Sequence, residues 1–184
     1  MGMITLQQLK QLFPNSPTRC ELFCQPLNDA MAAAGIATPA RAAAFLAQVG
    51  HESGRLVYTR ELWGPTAAQR GYEPPSAKAK DLGNTQPGDG FRYRGRGLIQ
   101  ITGRANYAKA GAALLLPLID QPELLEQPGA ASASAAWFWK TAGLNELADK
   151  GLFRSITLRI NGGLNGYDDR LDLWAAAKKI LGVG

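Results

Sequence analysis

Signals that begin and end helices recur along most of the chain, and they constrain its fold more than any other feature of the sequence. Thr5-Leu-Gln-Gln8 and Thr18-Arg-Cys-Glu21 both read as capping boxes, whose side chains satisfy backbone groups at the start of a helix. Thr38 followed by Pro39 is typical of an N-cap with proline at the first helical position. These signals predict three helices in the first third of the chain, which end near Phe13, Ala34 and His51.

The rest of the chain continues this helical pattern and contains no internal repeat and no linker. With 184 residues, the sequence has the length of one ordinary domain. We therefore predict a mainly α, single-domain protein over residues 1–184, with little or no β-sheet. Short β pairing is expected at most over residues 92–94 or 98–102. Further helices are predicted at residues 103–112, 122–126, 130–141, 144–149, 151–160 and 167–181.

Between residues 63 and 97 the helical pattern gives way to turn-forming residues. Residues 82–90 are rich in Gly, Asn, Asp and Pro, and helical turns are expected only near 67–72 and 76–80. Long irregular segments inside compact domains are usually functional or disordered. Because residues 91–96 are mostly aromatic and basic, we predict an ordered binding loop.

The supply of histidine and cysteine excludes several chemistries. A protein zinc site needs three or four ligands, and the chain has one His and two Cys. His51 and Glu52 open like the zinc-protease motif, but residue 55 is Arg where that motif needs His. Cys20 and Cys24 are interpreted as semi-buried free thiols on one helix face, with a redox or catalytic cysteine as the alternative. We predict neither a metal nor a cofactor.

The charge balance favours an anionic partner. Twenty Lys and Arg residues against 15 Asp and Glu give a formal net charge of +5. Such a surface suits nucleic acid, anionic lipid or an anionic cell-wall polymer, and a merely solvated basic surface is the alternative. No apolar run is long enough to span a membrane, and no secretion signal precedes the first helix. We therefore expect synthesis in the cytoplasm.

Two glutamates near the end of the third predicted helix are candidates for acid–base chemistry. Glu52 stands at the C-terminal end of an apolar helix, where the helix dipole and partial desolvation both favour a protonated carboxyl. Glu61 follows nine residues later, beyond a break at Gly54 that allows the two carboxyl groups to face each other across a cleft. Two carboxyl groups in different environments suit glycoside hydrolysis. Ordinary ion pairs of Glu61 with Arg55 or Arg60 are the alternative interpretation.

A later segment, Tyr93 to Tyr107, combines small residues with neutral polar side chains. Gly95 and Gly97 allow the backbone to approach another group closely. The segment is not a dinucleotide fingerprint, because residue 100 is Gln rather than Gly and no strand precedes it. The donors and acceptors suited to sugar hydroxyls and N-acetyl groups are Gln100, Thr102, Asn106 and, beside a later Gly-Gly turn, Asn161.

At these motifs the sequence resembles glycoside hydrolase family 19, the chitinase-like family, and in particular its bacteriophage endolysins. The triplets HES and NGG are weak singly, whereas the ordered set around GRGLIQ is specific and spans about residues 39–170. The resemblance implies a lysozyme-like, mainly helical α+β fold with a substrate groove. The matching segments are residues 45–54, 61–63, 82–84, 93–107 and 160–163.

The resemblance implies a role for each matched position. Glu52 matches the general acid, Glu61 the general base of the endolysin branch, and Thr102 a hydroxyl residue that helps to hold the nucleophilic water. His51 is implied to orient the surroundings of Glu52, with a satisfied, partly buried imidazole as the alternative. Arg170 is implied to support the acid–base network. The substrate-binding positions that the resemblance implies are His51, Gln100, Asn106, Tyr107, Asn161 and Arg170.

The plant-type members of the family depart from this pattern. They place the base within a longer loop and are secreted with disulfides, so the assignment of Glu61 depends on the endolysin branch. The resemblance implies inverting hydrolysis of a β-1,4-linked N-acetylhexosamine polymer. We expect peptidoglycan rather than chitin, because the surface is basic and the chain has neither a secretion signal nor a Cys-rich chitin-binding module.

These expectations describe a monomeric endolysin of the bacterial host cytoplasm that reaches the periplasmic cell wall after release, through a holin. We expect neither a nucleic-acid partner nor stable insertion into a membrane. Four alternatives stay open: a chitinase, a lytic transglycosylase that needs only Glu52, a wall- or nucleic-acid-binding module built on Arg92, Arg94 and Arg96, and membrane action by residues 171–181.

Overall fold

The computed structural model describes residues 2–183, which form a helical protein almost without β-structure, so the mainly α prediction is confirmed. Within these residues the β-structure consists of two isolated antiparallel bridges, Arg60–Arg96 and Arg96–Ile101. The α-helices are α1 Leu6–Leu12, α2 Pro17–Ala33, α3 Pro39–Glu52, α4 Ala67–Arg70, α5 Ala77–Leu82, α6 Asp89–Arg92, α7 Arg104–Leu114, α8 Pro128–Thr141, α9 Leu144–Asp149, α10 Phe153–Asn161 and α11 Tyr167–Leu181, with a 3-10 helix at Pro122–Glu126.

Helix α3 lies at the centre of the main hydrophobic core. Thr38 caps it by accepting a hydrogen bond from the Arg41 amide at 3.2 Å, and Pro39 occupies the first turn, as the sequence predicts. Nine consecutive residues, 42–50, are buried, so every face of this part of the helix is covered. The largest share of the cover comes from α11, with α9 also in contact. This packing fixes the position of Glu52 at the end of α3.

A smaller hydrophobic cluster lies beneath the glycine-rich segment 93–107. The rings of Tyr93 and Tyr107 pack at 5.2 Å between centroids, and both side chains are buried. The cluster also draws on α7, the loop that follows it and the 3-10 helix. The segment is therefore ordered, as predicted, and packed from below.

Three local predictions differ from the structure. Helix α2 begins at Pro17 after Ser16, rather than at the capping box at Thr18, because proline is already suited to a first helical turn. The short helix α6 lies inside the segment expected to hold only turns at that point. Of the two ranges expected to hold β pairing, 98–102 contains a bridge residue, Ile101, and 92–94 contains none; the other bridge residues are Arg60 and Arg96. Arg96 pairs with Arg60 on one side and with Ile101 on the other, and alternation of residue types along the sequence does not reveal such contacts.

The C-terminal helix is a packed helix. Within residues 2–183, no helix is both long and apolar enough to cross a membrane. Helix α11 lies along α3 and buries Arg170, Leu173 and Ala177. The structure thus favours the packed-helix interpretation of residues 171–181 over membrane action.

Candidate active site

The Glu52 carboxyl is held at the end of α3 by a buried arginine from α11. Arg170 is 1% exposed, and its Nη2 donates to Glu52 Oε1 at 2.5 Å. Its Nη1 donates to Gln48 Oε1, one helical turn before Glu52 on the same face of α3. The Glu52 carboxyl therefore has a buried cation as its partner, in addition to its position at the C-terminal end of an apolar helix.

A buried hydrogen-bond chain extends from this arginine into α10. Gln48 Nε2 donates to Thr157 Oγ1 at 2.8 Å, and Thr157 Oγ1 donates to the Phe153 carbonyl at 3.2 Å. Both polar side chains are fully buried. Sequence reasoning missed Gln48, although a polar residue inside a long apolar helical run is itself a signal. The chain orients Arg170 and, through it, Glu52.

A left-handed turn reverses the chain after Glu52. Gly54, Arg55 and Leu56 all have positive φ values, of 56°, 61° and 69°. Left-handed backbone costs about 1–2 kcal/mol for a residue with a side chain, so surrounding contacts must maintain this turn. Leu56 is fully buried, and its carbonyl accepts from Arg19 Nε at 2.7 Å. The break expected at Gly54 is thus a turn that directs the chain back towards the cleft.

His51 takes part in a charged cluster beside Glu52. Its Nδ1 lies 2.6 Å from Asp169 Oδ2, and Arg55 also binds the Asp169 carboxylate. Burial opposes the charge on Asp169, but hydrogen bonds from Arg55 and His51 hold its pKa below the usual range. A Cβ atom on Gly166, whose φ is +67°, would come 2.1 Å from His51 Cε1, so the ring packs directly on this glycine. These contacts agree with a partly buried imidazole that Asp169 and Gly166 hold in place.

The Glu61 carboxyl is held by three neutral donors. Its Oε1 accepts from Gln69 Nε2 at 3.0 Å and from the Tyr72 hydroxyl at 3.3 Å, and its Oε2 accepts from the Gly95 amide at 3.1 Å. Burial and the adjacent Glu61 charge raise the pKa of Tyr72, so its hydroxyl keeps its proton and remains a donor. A Cβ on Gly95 would lie 2.4 Å from the side-chain oxygen of Gln100, so a larger residue here would displace that side chain, which lines the cleft.

The alternative ion pairs of Glu61 are not formed. Arg55 pairs with Asp169, and Arg60 Nη1 lies 3.5 Å from Glu126 Oε2. Glu61 therefore presents a carboxyl that is positioned by hydrogen bonds and has no cationic partner among residues 2–183.

The two glutamates line one cleft, as the sequence-based hypothesis requires. This cleft has a volume of about 280 Å³, and Gln100 also lines it. Glu52 thus sits beside a buried cation, whereas Glu61 sits among neutral donors. Two carboxyl groups in different surroundings at one cleft are suited to acid and base roles in the same reaction. The complete lining is Glu52, Tyr58, Arg60, Glu61, Leu62 and Gln100.

Comparison with known proteins identifies the family. A model of glycoside hydrolase family 19, described as chitinase class I, matches residues 28–151, which include both cleft glutamates and the segment 93–107. This chain belongs to glycoside hydrolase family 19. It is therefore a glycosidase whose substrate is a polysaccharide, and the resemblance found in the sequence motifs is confirmed for the family.

Family 19 relatives match between two thirds and nearly all of the chain. A Haemophilus influenzae protein described as a glycosyl hydrolase family 19 domain-containing protein is 34% identical and covers 95% of each chain. An Arabidopsis thaliana endochitinase is 40% identical over 66% of this chain, which spans 39% of that protein. The crystal structure of a bacterial family 19 chitinase has a TM-score of 0.79 and 26% identity, covering 99% of this chain and 96% of its own. Chitinase C from Streptomyces griseus gives a TM-score of 0.76 at 26% identity, over 98% of this chain and 77% of that one.

Two of the positions matched to family 19 substrate contacts are buried. Tyr107 is completely buried, and its hydroxyl donates to the Arg94 carbonyl at 2.6 Å. Burial raises its pKa to about 12 even though Arg96 acts in the opposite direction. The prediction of direct substrate contact is wrong for Tyr107, which instead holds the loop above it. Arg170 also has almost no exposed surface for substrate, and its place against Glu52 is in keeping with the support of the acid–base network that the resemblance implies.

The remaining matched positions lie at the surface or partly exposed. Asn106 is exposed, and its Nδ2 donates to the Thr102 carbonyl at 2.8 Å, while Thr102 itself is partly buried. Asn161 ends α10, and its Nδ2 is a buried donor with no partner in residues 2–183. The roles of Thr102, Asn106 and Asn161 stay predictions.

The described residues offer no metal centre and contain two reduced cysteines. Within residues 2–183, no group of three or more His, Cys, Asp and Glu side chains could hold a metal ion. Cys20 and Cys24 are free, and burial raises the pKa of both thiols. A raised thiol pKa disfavours the reactive thiolate, in keeping with the interpretation of Cys20 and Cys24 as structural thiols.

Proposed function

We propose that this family 19 protein is an endolysin-type glycosidase that cleaves β-1,4 bonds of bacterial peptidoglycan by an inverting mechanism. The observation that carries the proposal is the presence of Glu52 and Glu61 in one cleft, each with a different set of partners. Glycoside hydrolysis by inversion needs one carboxylic acid and one carboxylate, set about 6.5–9.5 Å apart so that a water molecule fits beside the sugar.

Glu52 takes the part of general acid in this proposal. Its Oε1 is bound to Arg170, and its Oε2 has no protein partner among residues 2–183, so Oε2 is the oxygen free to carry the proton. A bound polymer removes water from the cleft, and desolvation favours the neutral carboxyl. The proton passes from Oε2 to the glycosidic oxygen as the bond to the anomeric carbon breaks.

Glu61 takes the part of general base. Its three neutral donors orient the carboxylate, and no cation neutralises it. It accepts a proton from a water molecule, which Thr102 helps to position and which attacks the anomeric carbon from the face opposite the leaving group. The anomeric carbon of the new reducing end therefore has the inverted configuration when it is first formed. Water supplies the hydroxyl of the new reducing end and gives its proton to Glu61, while the leaving oxygen takes the proton of Glu52. Proton exchange with solvent then restores both carboxyl groups.

The net charge of the whole chain, +5, supports an anionic polymer. The cleft adjoins a second cavity of about 420 Å³, with which it shares Tyr58, Arg60 and Leu62. That cavity adds Arg19 and also Glu126, the ion-pair partner of Arg60. Peptidoglycan carries carboxylates, whereas chitin is neutral, so the basic character of the protein favours the former. Hydrolysis of chitin is the second candidate function, because several relatives are named as chitinases.

A lytic transglycosylase would need only Glu52. The three hydrogen bonds that fix Glu61 in the same cleft favour a two-carboxyl hydrolase instead. The proposal extends to the site of action: a monomer made in the cytoplasm of a bacterial host, released through a holin, that degrades the wall from the periplasm.

Mass spectrometry of fragments released from purified peptidoglycan tests the proposed function. We expect soluble muropeptides with ordinary reducing ends, each heavier by one water than the corresponding anhydro sugar. The residue at the new end reports which bond is cut, for which we expect the muramic acid to glucosamine linkage, the lysozyme-type cleavage. A spectrum dominated by 1,6-anhydro ends would reject the hydrolytic mechanism. Release from chitin but none from peptidoglycan would reject the substrate.

A further inference from the structure

A basic pocket with a lining separate from that of the cleft is formed in part by residues 91–94 and 96, the segment whose Gly95 amide binds Glu61. We call it the arginine pocket. It has a volume of about 620 Å³, and its charged lining consists of four arginines and two aspartates, a net charge of +2. The arginines are Arg92, Arg94, Arg96 and Arg104, and the aspartates are Asp89 and Asp120.

Two of these arginines are neutralised within the protein. Arg104 Nη2 lies 2.6 Å from Asp89 Oδ1, and Arg96 Nε lies 2.7 Å from Glu126 Oε1. Although burial opposes its charge, hydrogen bonds from Arg104 and from the Gln86 and Thr85 amides hold the pKa of Asp89 below its usual range. These pairs are structural, and they leave the other two arginines to be explained.

Arg92 and Arg94 have no acidic partner among residues 2–183. Arg94 is 9% exposed, donates to the Phe91 carbonyl at 2.8 Å and stacks on the Phe91 ring at 4.1 Å. Burial and the adjacent Arg96 lower the pKa of Arg94. Arg92 is exposed; its Nε donates to the Tyr93 hydroxyl at 3.1 Å, and its Nη2 donates to the backbone carbonyls of Ile119 and Asp120 at 2.9 and 3.0 Å. Arg94 Nε and Nη2 have no hydrogen-bond partner among residues 2–183. A largely buried cation with free donors favours occupation of the pocket by an anion.

The arginine pocket and the catalytic cleft share one stretch of chain. Arg94 and Arg96 are the immediate neighbours of Gly95, whose amide binds the Glu61 carboxylate. Phe91 lines the pocket. Its ring packs edge-on against Trp63, with 5.4 Å between ring centroids, and Trp63 follows Glu61 by two residues. A polymer in the cleft would therefore bring its side groups close to the pocket.

We propose that the arginine pocket binds a carboxylate of a stem peptide attached to the glycan in the cleft. The inference rests on peptidoglycan as the substrate. The flat guanidinium fork matches a carboxylate with two parallel hydrogen bonds, and Arg94 is held flat by the Phe91 ring. A phosphate group offers similar oxygen atoms, and the binding experiment below separates the two. The pocket thus selects peptide-bearing glycan over neutral glycan.

The kinetic test compares two forms of the same polymer. Initial rates are measured on intact peptidoglycan and on glycan strands from which an amidase has removed the stem peptides. Arg92→Gln, and Arg94→Lys, which keeps the charge but loses the fork, are expected to lower kcat/KM about tenfold on the intact polymer. Both variants should match the unsubstituted protein on the stripped strands. Arg154→Gln, on the exposed face of α10, removes the same charge elsewhere and should change neither rate.

The outcomes separate this proposal from the proposed function. An equal loss on both polymers would show that the arginines act only through folding, and no loss on either would show that they are idle; both overturn the proposal. If the unsubstituted protein cleaves neither polymer, the proposed function fails. In that case the binding experiment still tests whether the arginine pocket binds a carboxylate.

Binding is followed by the side-chain Nε–Hε nuclear magnetic resonance signals of arginine. A stem tripeptide with free carboxylates should shift the Arg94 signal, and this shift should weaken in Arg92→Gln but be kept in Arg154→Gln. A response to inorganic phosphate or to an oligonucleotide without a response to the tripeptide would overturn the carboxylate assignment. The absence of any shift would overturn the pocket as a binding site.

Discussion

Glu52→Gln is expected to lower the rate of peptidoglycan hydrolysis by at least about 10³-fold while leaving the fold intact. Glutamine has no acidic proton to give to the leaving oxygen, so the bond between the sugars must break without help. The substitution keeps the size of the side chain, and its amide oxygen can still accept the hydrogen bond from Arg170. The buried part of α3, residues 42–50, is untouched.

Initial rates of muropeptide release and thermal unfolding by circular dichroism measure the two parts of this prediction. Glu123→Gln is a matched control, because Glu123 is an exposed glutamate on the 3-10 helix away from the cleft. It should retain the full rate and melting temperature. A Glu52→Gln protein that melts normally and hydrolyses within tenfold of the unsubstituted rate would remove Glu52 from the acid role.

Glu61→Gln is expected to lower the same rate by about 10²–10³-fold, because the attacking water loses the group that accepts its proton. A glutamine oxygen can still accept the hydrogen bond from the Gly95 amide, so the segment around the cleft should keep its place. The prediction also separates two enzyme classes, since a lytic transglycosylase does not use a water molecule as nucleophile.

The measurement for Glu61→Gln is the rate together with the chemical nature of the product ends. Glu123→Gln again serves as the control for loss of a carboxylate at the surface. Near-complete retention of activity with 1,6-anhydro ends would show that Glu61 has no catalytic part and that the cleft works with Glu52 alone.

Local signals explain why much of the helical fold could be predicted from the sequence. Thr38 and Pro39 fix the start of α3, and the glycine break after Ser53 fixes its end, because capping and left-handed turns depend on a few adjacent residues. Helices α9 and α11 likewise have the predicted bounds. Short elements such as α6 escape such reasoning, because tertiary contacts hold them.

The candidate site divides in the same way. The sequence motifs predict that Glu52 and Glu61 face one cleft, and both residues line the same cleft in the structure. The hydrogen bond that orients Glu52 comes from Arg170, 118 positions later in the chain. Gln48 donates to Thr157, 109 positions later. Such contacts arise only when α3, α10 and α11 pack together, so no local pattern announces them.

Side-chain direction within the glycine-rich segment was the least predictable feature. Tyr107 follows Asn106 in the motif, yet one side chain is buried and the other exposed. The sequence predicts Arg94 and Arg96 in a binding loop but does not reveal that both side chains are buried. A motif names the residues that occur together, whereas the packing of the second hydrophobic cluster decides which of them face solvent.

The central claim is that Glu52 and Glu61 act together as acid and base in a single displacement at one cleft. The most direct measurement is nuclear magnetic resonance of the anomeric proton at the newly formed reducing end, recorded before the sugar equilibrates. We predict that the α-anomer appears first from the β-linked polymer and that it converts to the β-anomer only later. Initial appearance of the β-anomer would show retention, and the two-carboxyl inverting account would be contradicted.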